Sequence, residues 1–189
     1  MVSENSTQAG ASAANAFTAS DVAAILRERG WLEKDFAPDQ TGDNSGIAGW
    51  LADAAALLGP QATDRQALGE LLELIFRYDA RAILEQRESH AILARQGARA
   101  AIRELAHRVL EGPAIDSDRF KAMVDALKAT LGSRGRELFH PLRLALAGRA
   151  GEGELDRVIL LLDRAAQLPF RVPVKNTRAR MLEFCAALE

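Results

Sequence analysis

The sequence predicts an all-α fold, a bundle or cage of about eight helices. Three observations lead there. Alanine, leucine and arginine are abundant in a 189-residue chain with 48% hydrophobic and only 5% aromatic residues, and alanine and straight-chain residues lose little freedom in a helix. Apolar residues recur at three- and four-residue spacing over most of the length. No run alternates Val, Ile, Thr and aromatics in the manner of a strand.

The helices follow in order. Residues 1–16 are small and polar and read as a disordered tail, because they offer too little apolar surface to offset ordering. A first helix is expected from about Ser20 to Arg29, with Ser20 as cap, Asp21 at its positive end and Gly30 past its close. Glu33 to Ser45 carries Asp35, Pro38, Asp39, Gly42 and Asp43 and reads as an acidic linker. A second helix runs from about Ser45 to Leu58 and stops at Gly59-Pro60. Thr63 with Gln66 makes a capping box for a third, whose apolar face is Leu68, Leu71, Leu72, Ile75 and Phe76. Helical pattern continues over Asp79–Gln96, breaks at Gly97 and resumes to Glu111. Asp116 caps the next helix, with face Phe120, Met123, Val124, Leu127 and Leu131, and Gly132 ends it. Then come Gly135–Gly148 and a helix over Glu154–Gln167. A proline-punctuated connector, Leu168 to Val174, leads to a last helix near Thr177–Leu188 with one apolar stripe, Met181, Phe184, Cys185 and Leu188. The division expected is a tail over 1–16, a short helix and acidic linker over 17–45, and a helical domain over 46–189.

Charge narrows the function classes. Residues 1–64 hold three basic and nine acidic side chains, and the remaining 125 hold 21 basic and 17 acidic. The acidic end will not seek a phosphate backbone, whereas the rest can. One cysteine excludes an internal disulfide framework and fits a reducing compartment. No apolar run is long enough to span a bilayer, and the polar start does not read as a signal peptide, so a cytoplasmic protein is expected.

The stretch Gly135–Gly148, GRELFHPLRLALAG, carries a resemblance. It falls in register on the pattern G-(K/R)-x-L-(F/M)-x-P-L-R-x-A-L-(T/S)-G of the C-terminal, anticodon-binding region of bacterial glutamyl-tRNA synthetases. Gly135, Arg136, Leu138, Phe139, Pro141, Leu142, Arg143, Ala145, Leu146 and Gly148 match. The flanks Trp50–Asp79, Phe120–Gly132 and Glu154–Leu162 resemble neighbouring helices of that region. Ala147 departs from the pattern, standing where the family has a hydroxyl, and residues 1–45 have no recognised counterpart.

The resemblance implies a helical cage that holds the anticodon stem and loop of a tRNA, that of glutamate. It implies no aminoacylation here. The family's catalytic half carries a His-x-Gly-His signature and a Lys-Met-Ser-Lys-type loop. His90, His107 and His140 start no such signature, and no phosphate-cradling glycine loop is present. No cofactor is called for, and three scattered histidines make no metal site. Other readings are a protein-interaction or regulatory module derived from that domain, binding a synthetase or another protein through residues 17–60, or the split half of a synthetase working with a separate catalytic chain.

The candidate RNA-binding residues are Arg134, Arg136, His140, Arg143, Arg149 and Lys175. Arginine suits phosphates and bases, since its planar fork donates bidentately and stacks. Arg143, between Leu142 and Leu144, equally suits a structural tie. His140 precedes Pro141, which disfavours helical geometry and predicts a kink or restart. Phe139 is expected in the core. Arg95, Arg99 and Arg103 recur every four residues, either as a positive stripe or as a solvated face near Glu104. Arg171, Lys175, Arg178 and Arg180 form an acid-free run, read as an anion site at a helix start or as plain surface. Trp31 and Trp50 flank the acidic linker, exposed as partner anchors or buried against the bundle. Cys185 is expected to be buried on the last helix.

Overall fold

A computed structural model describes residues 17–34, 45–113, 115–151 and 155–189. The expected tail over 1–16 and most of the acidic linker lie outside the described residues. Among these residues the fold is all-α, with ten helices: α1 (Ala19–Glu28), α2 (Ser45–Leu58), α3 (Arg65–Phe76), α4 (Ala80–Leu84), α5 (Arg87–Leu93), α6 (Ala98–Leu110), α7 (Ser117–Leu131), α8 (Gly135–Ala147), α9 (Leu155–Ala165) and α10 (Thr177–Leu188). A 3-10 turn, Gly59–Gln61, follows α2.

Local chemistry sets the boundaries, in three places differently from expectation. Thr18, not Ser20, caps α1: its hydroxyl accepts from Asp21 N–H while the Asp21 carboxylate accepts from Thr18 N–H at 2.8 Å. Asp64, not Thr63, caps α3, accepting from Ala67 N–H at 2.8 Å, and Gln66 turns outward to Glu70. A carboxylate is the better acceptor for helix-start donors. The stretch 79–96 is two short helices rather than one. Asp79 takes the Arg81 and Ala82 N–H groups at the start of α4. The buried Ser89 donates to the Ile83 carbonyl at 2.5 Å, replacing the helical bond that would have carried α4 onward.

Pro141 neither breaks nor restarts α8, against expectation. The acceptor it cannot serve is the carbonyl of Glu137, four residues back. Glu137 is exposed in the first turn, where water can take that carbonyl, while Pro141 itself is buried. Glycine opens and closes this helix. Gly135 has φ +55 and Gly148 φ +78, a region that side-chain-bearing residues avoid. At Gly148 an added Cβ would also meet Ile83 and Leu74 at 3.2 Å.

The core has two parts. One gathers α4–α8, the first turns of α9 and the inner face of α10, around Ile102, Leu105, Leu127, Leu138, Leu142 and Phe184. The other gathers α1, α2, α3 and the end of α9, around Leu26, Trp31, Trp50, Leu68, Leu72 and Phe76. Helix α9 serves both: Leu155 and Ile159 face the first, Leu161, Leu162 and Ala165 the second. Both tryptophans are buried. Trp50 Nε1 donates to the Leu161 carbonyl at 2.9 Å, and Trp31 stacks on Phe76 at 4.8 Å beneath the guanidinium groups of Arg29 and Arg77. Neither is an exposed anchor for a partner protein. Phe139 and Cys185 pack against the first core while remaining partly exposed.

Arg180 joins the two parts. It is fully buried. Its Nη2 donates to the Ile75 carbonyl at the end of α3, its Nη1 to the Leu146 carbonyl at the end of α8, both at 2.8 Å, and its Nε to the Lys175 carbonyl at 2.9 Å. The guanidinium also lies 4.4 Å from the Tyr78 ring centroid. Tyr78 donates to the Ala145 carbonyl, one residue from the Arg180 bond on α8. Burial lowers the Arg180 pKa to about 10 and raises that of Tyr78. At neutral pH the pair is a charged guanidinium on a neutral phenol.

Replacing Arg180 leaves helix-end carbonyls buried without donors. Arg180→Met is therefore expected to lower the unfolding free energy by about 3–5 kcal/mol in urea titrations, at about 1–3 kcal/mol for each buried carbonyl left without its donor. Arg180→Lys should recover only a minor part, since one ammonium cannot reach carbonyls on three segments. Stability of Arg180→Met within about 1 kcal/mol of wild type, the scale of one ordinary hydrogen bond, would show that the clamp is dispensable.

Candidate nucleic-acid interface

Helix α8 carries three of the six candidate residues, Arg136, His140 and Arg143, with Arg134 at its N-cap and Arg149 just beyond its end. Over 13 residues it is about 20 Å long, so its two ends are separate places. Arg134 and Arg136 are exposed at the start, and Arg134 occupies the N-cap position with extended backbone and no side-chain capping bond. His140 and Arg143 follow on the next two turns. His140 lies beside Arg95, which the α5–α6 turn brings in from 45 residues away. Arg95 Nη1 lies 3.3 Å from His140 Nδ1. With the imidazole neutral, Nδ1 accepts that bond and the ring proton sits on Nε2.

His140 reports the local field. Its pKa is lowered, first by burial, then by Arg95, Arg136 and Arg143, while Glu88 raises it. Three guanidinium groups thus act on one imidazole against one carboxylate. Such a surface favours an anion, and a phosphate chain fits it best because each arginine can grip two oxygens.

Arg143 and Arg149 line a cleft between the two cores, with Gln61, Leu58, Leu71 and Leu161 among its other walls. Arg143 Nη1 donates to the Gly151 carbonyl at 2.5 Å, and Arg149 Nη2 to Gln61 Oε1 at 2.9 Å. Burial lowers the Arg149 pKa. Arg143 therefore does a structural job and still edges the anion-attracting face. On its other side it shares a groove with Phe139 one turn back and with Lys121 and Lys128 of α7.

Lys175 stands apart. Its ammonium pairs with Glu183 at 2.5 Å and donates to the Tyr78 carbonyl at 2.8 Å. The rest of that basic run is likewise engaged by the protein. Arg171 pairs with Glu33, Arg178 donates to the Leu110 carbonyl, and Arg180 is the buried clamp. The start of α10 already has its acceptors, Asn176 Oδ1 for Ala179 N–H and Asp163 Oδ1 for Thr177 N–H. Sequence reasoning took Arg180 for part of this run and missed its burial. It also left Arg95 unconnected to His140, and no signal short of a contact map would have joined them.

The described residues contain no cluster of His, Cys, Asp and Glu able to hold a metal ion, and no helix long and apolar enough to cross a membrane. The geometry defines a helical module with Arg95, Arg136 and Arg143 set around His140 of α8. A family model described as an anticodon binding domain matches residues 15–168, and the chain belongs to that family. Its curated relatives are glutamate–tRNA ligases. That of Bacillus licheniformis is 28% identical over 115 residues, 61% of this chain and 23% of its own. That of Carboxydothermus hydrogenoformans is 31% identical over 98 residues, 52% of this chain and 20% of its own. The ligase numbered 2 of Syntrophus aciditrophicus is 29% identical over 119 residues, 60% and 23%. The chain thus spans less than a quarter of the length of these relatives. No solved structure matches it.

The field on His140 has a measurable sign. Its pKa in the folded protein lies below the ordinary 6.5, so the folded state holds fewer protons than the unfolded chain as pH falls through 6.5. Acidification across that window should cost folding stability, and His140→Gln should remove that part of the loss. In an NMR titration, Arg95→Gln should move the His140 midpoint up toward 6.5. An unmoved midpoint would mean that Arg95 does not act on the ring.

Proposed function

We propose that this chain is a non-catalytic tRNA-binding module of the cytoplasm that grips the anticodon arm of a tRNA, that of glutamate. The observation that carries the reading is the convergence of Arg95, Arg136 and Arg143 on His140, next to the exposed Arg134 at the start of α8. Membership of the anticodon-binding-domain family and similarity to glutamate–tRNA ligases support it. Arginine forks on this face hold backbone phosphates and fix the register of the RNA. Phe139 and His140, on the same turn, offer planar surfaces to unstacked loop bases. Arg143 is positioned for either task, its orientation set by the Gly151 carbonyl. Lys175, held by Glu183 and Tyr78, stands outside this interface.

Titration of the chain with a glutamate tRNA transcript between 50 and 200 mM salt checks the reading. Affinity should fall as salt rises, with a log–log slope of about 0.7–0.9 for each phosphate held. Arg134→Ala together with Arg136→Ala should reduce that slope by roughly 1–2 and weaken binding similarly for any tRNA, as loss of backbone contacts does. Absence of binding at 50 mM salt would end the proposal.

A further inference from the structure

Arg95, Arg99 and Arg103 have a definite setting in the fold. All three are exposed. Arg99 and Arg103 stand one turn apart on α6. Glu104, the acid next to them in sequence, faces away and pairs with Arg108 at 2.6 Å. Among the described residues none of the three arginines forms an ion pair. The row begins against the α8 face, where Arg95 meets His140, and runs toward α10, where Arg99 Nη1 donates to the Leu188 carbonyl at 3.5 Å. Arg103 lies close enough to Cys185 of α10 to act on its thiol, and Glu189 is the acid nearby.

Beside this row is a shallow hollow bordered by α4, α5, α6 and α10. Leu84, Leu93, Ala94 and Leu188 give it an apolar floor, and His90 and Arg99 stand at its rim. His90 is exposed. An apolar floor with an imidazole and a guanidinium plane at its edge suits an unstacked nucleobase. The arginine row alongside suits the phosphates of the same strand. A paired duplex has no base free to enter.

We propose that α5, α6 and the end of α10 form a second contact surface for RNA, continuous with the α8 face. It takes a single-stranded segment, with phosphates on Arg95, Arg99 and Arg103 and a base in the hollow between His90 and Leu188. This rests on the tRNA-binding reading and extends its footprint beyond α8.

Fluorescence anisotropy tests it, using a glutamate tRNA transcript, a labelled single-stranded RNA 12-mer and the same 12-mer in duplex. The proteins are wild type, Arg99→Gln/Arg103→Gln and His90→Ala, each checked for folding by circular dichroism. The double variant should lower the single-strand salt slope by about 1.4, from two lost phosphates. His90→Ala should weaken single-strand binding roughly tenfold and change duplex binding less than twofold. Wild-type salt slope and affinity in both folded variants, with tRNA still bound by wild type, would overturn this second surface and leave the α8 reading standing. Failure of wild type to bind any of the three RNAs would overturn both.

Discussion

The fold depends on a guanidinium that never meets solvent. Helices end in unsatisfied carbonyls, and two helices that end inside a protein need donors brought to them. Arg180 supplies these to α3 and α8 together and adds the Lys175 carbonyl of its own approach. Tyr78 supplies another to α8, and Gly148 N–H closes onto the Leu144 carbonyl. The cost of burying a charge is met by three acceptors and a ring face rather than by a carboxylate partner. Ion pairing would have served one point. The planar fork serves segments that arrive from different directions.

The position of the candidate interface follows from this clamp. It fixes the C-terminal end of α8 against α3 and α10, so the helix projects its N-terminal half away from the seam of the two cores. Helix α6 packs along that half and delivers the α5–α6 turn to it, which places Arg95 beside His140. The seam end of α8 therefore has its arginines occupied by protein acceptors, Gly151 for Arg143 and Gln61 for Arg149. The far end presents Arg134 and Arg136 to solvent.

Much of this was legible in the sequence because helices announce themselves by apolar spacing and by the residues that stop them. Gly59-Pro60, Gly132 and Gly148 mark real ends, and the face read for α3 is buried, as is that of α7 apart from the half-buried Leu131, whereas in the stripe read for α10 Met181 and Phe184 are buried and Cys185 and Leu188 are partly exposed. Less legible were features in which a side chain competes with the backbone. Ser89 splits a continuous helical pattern by taking the Ile83 carbonyl, and nothing in its neighbours advertises that. Arg180 was hidden by its company. Counted with Arg178 and Lys175 it reads as surface charge, yet Thr177, Arg180, Met181 and Phe184 sit at offsets 0, 3, 4 and 7 and are all buried. A cation on an apolar stripe marks a buried donor as readily as a surface, and the periodicity was the stronger of the two signals.

The same distinction decides where an anionic partner is to be sought. An arginine count over residues 65–189 overstates the charge available, because carbonyls and carboxylates of the protein already hold Arg178, Arg180, Arg108 and Arg164. What remains for a polyanion is geometric rather than compositional. Cations from α8 and the α5–α6 turn converge around one imidazole, whose pKa Arg95, Arg136 and Arg143 lower and Glu88 raises. A fold gains no stability from holding like charges together. The arrangement persists because the packing of α6 on α8 imposes it, and a phosphate chain laid across it would convert repulsion into attraction at each contact. The modest net charge of the chain is therefore no argument against RNA binding, since binding answers to the local field and not to the sum.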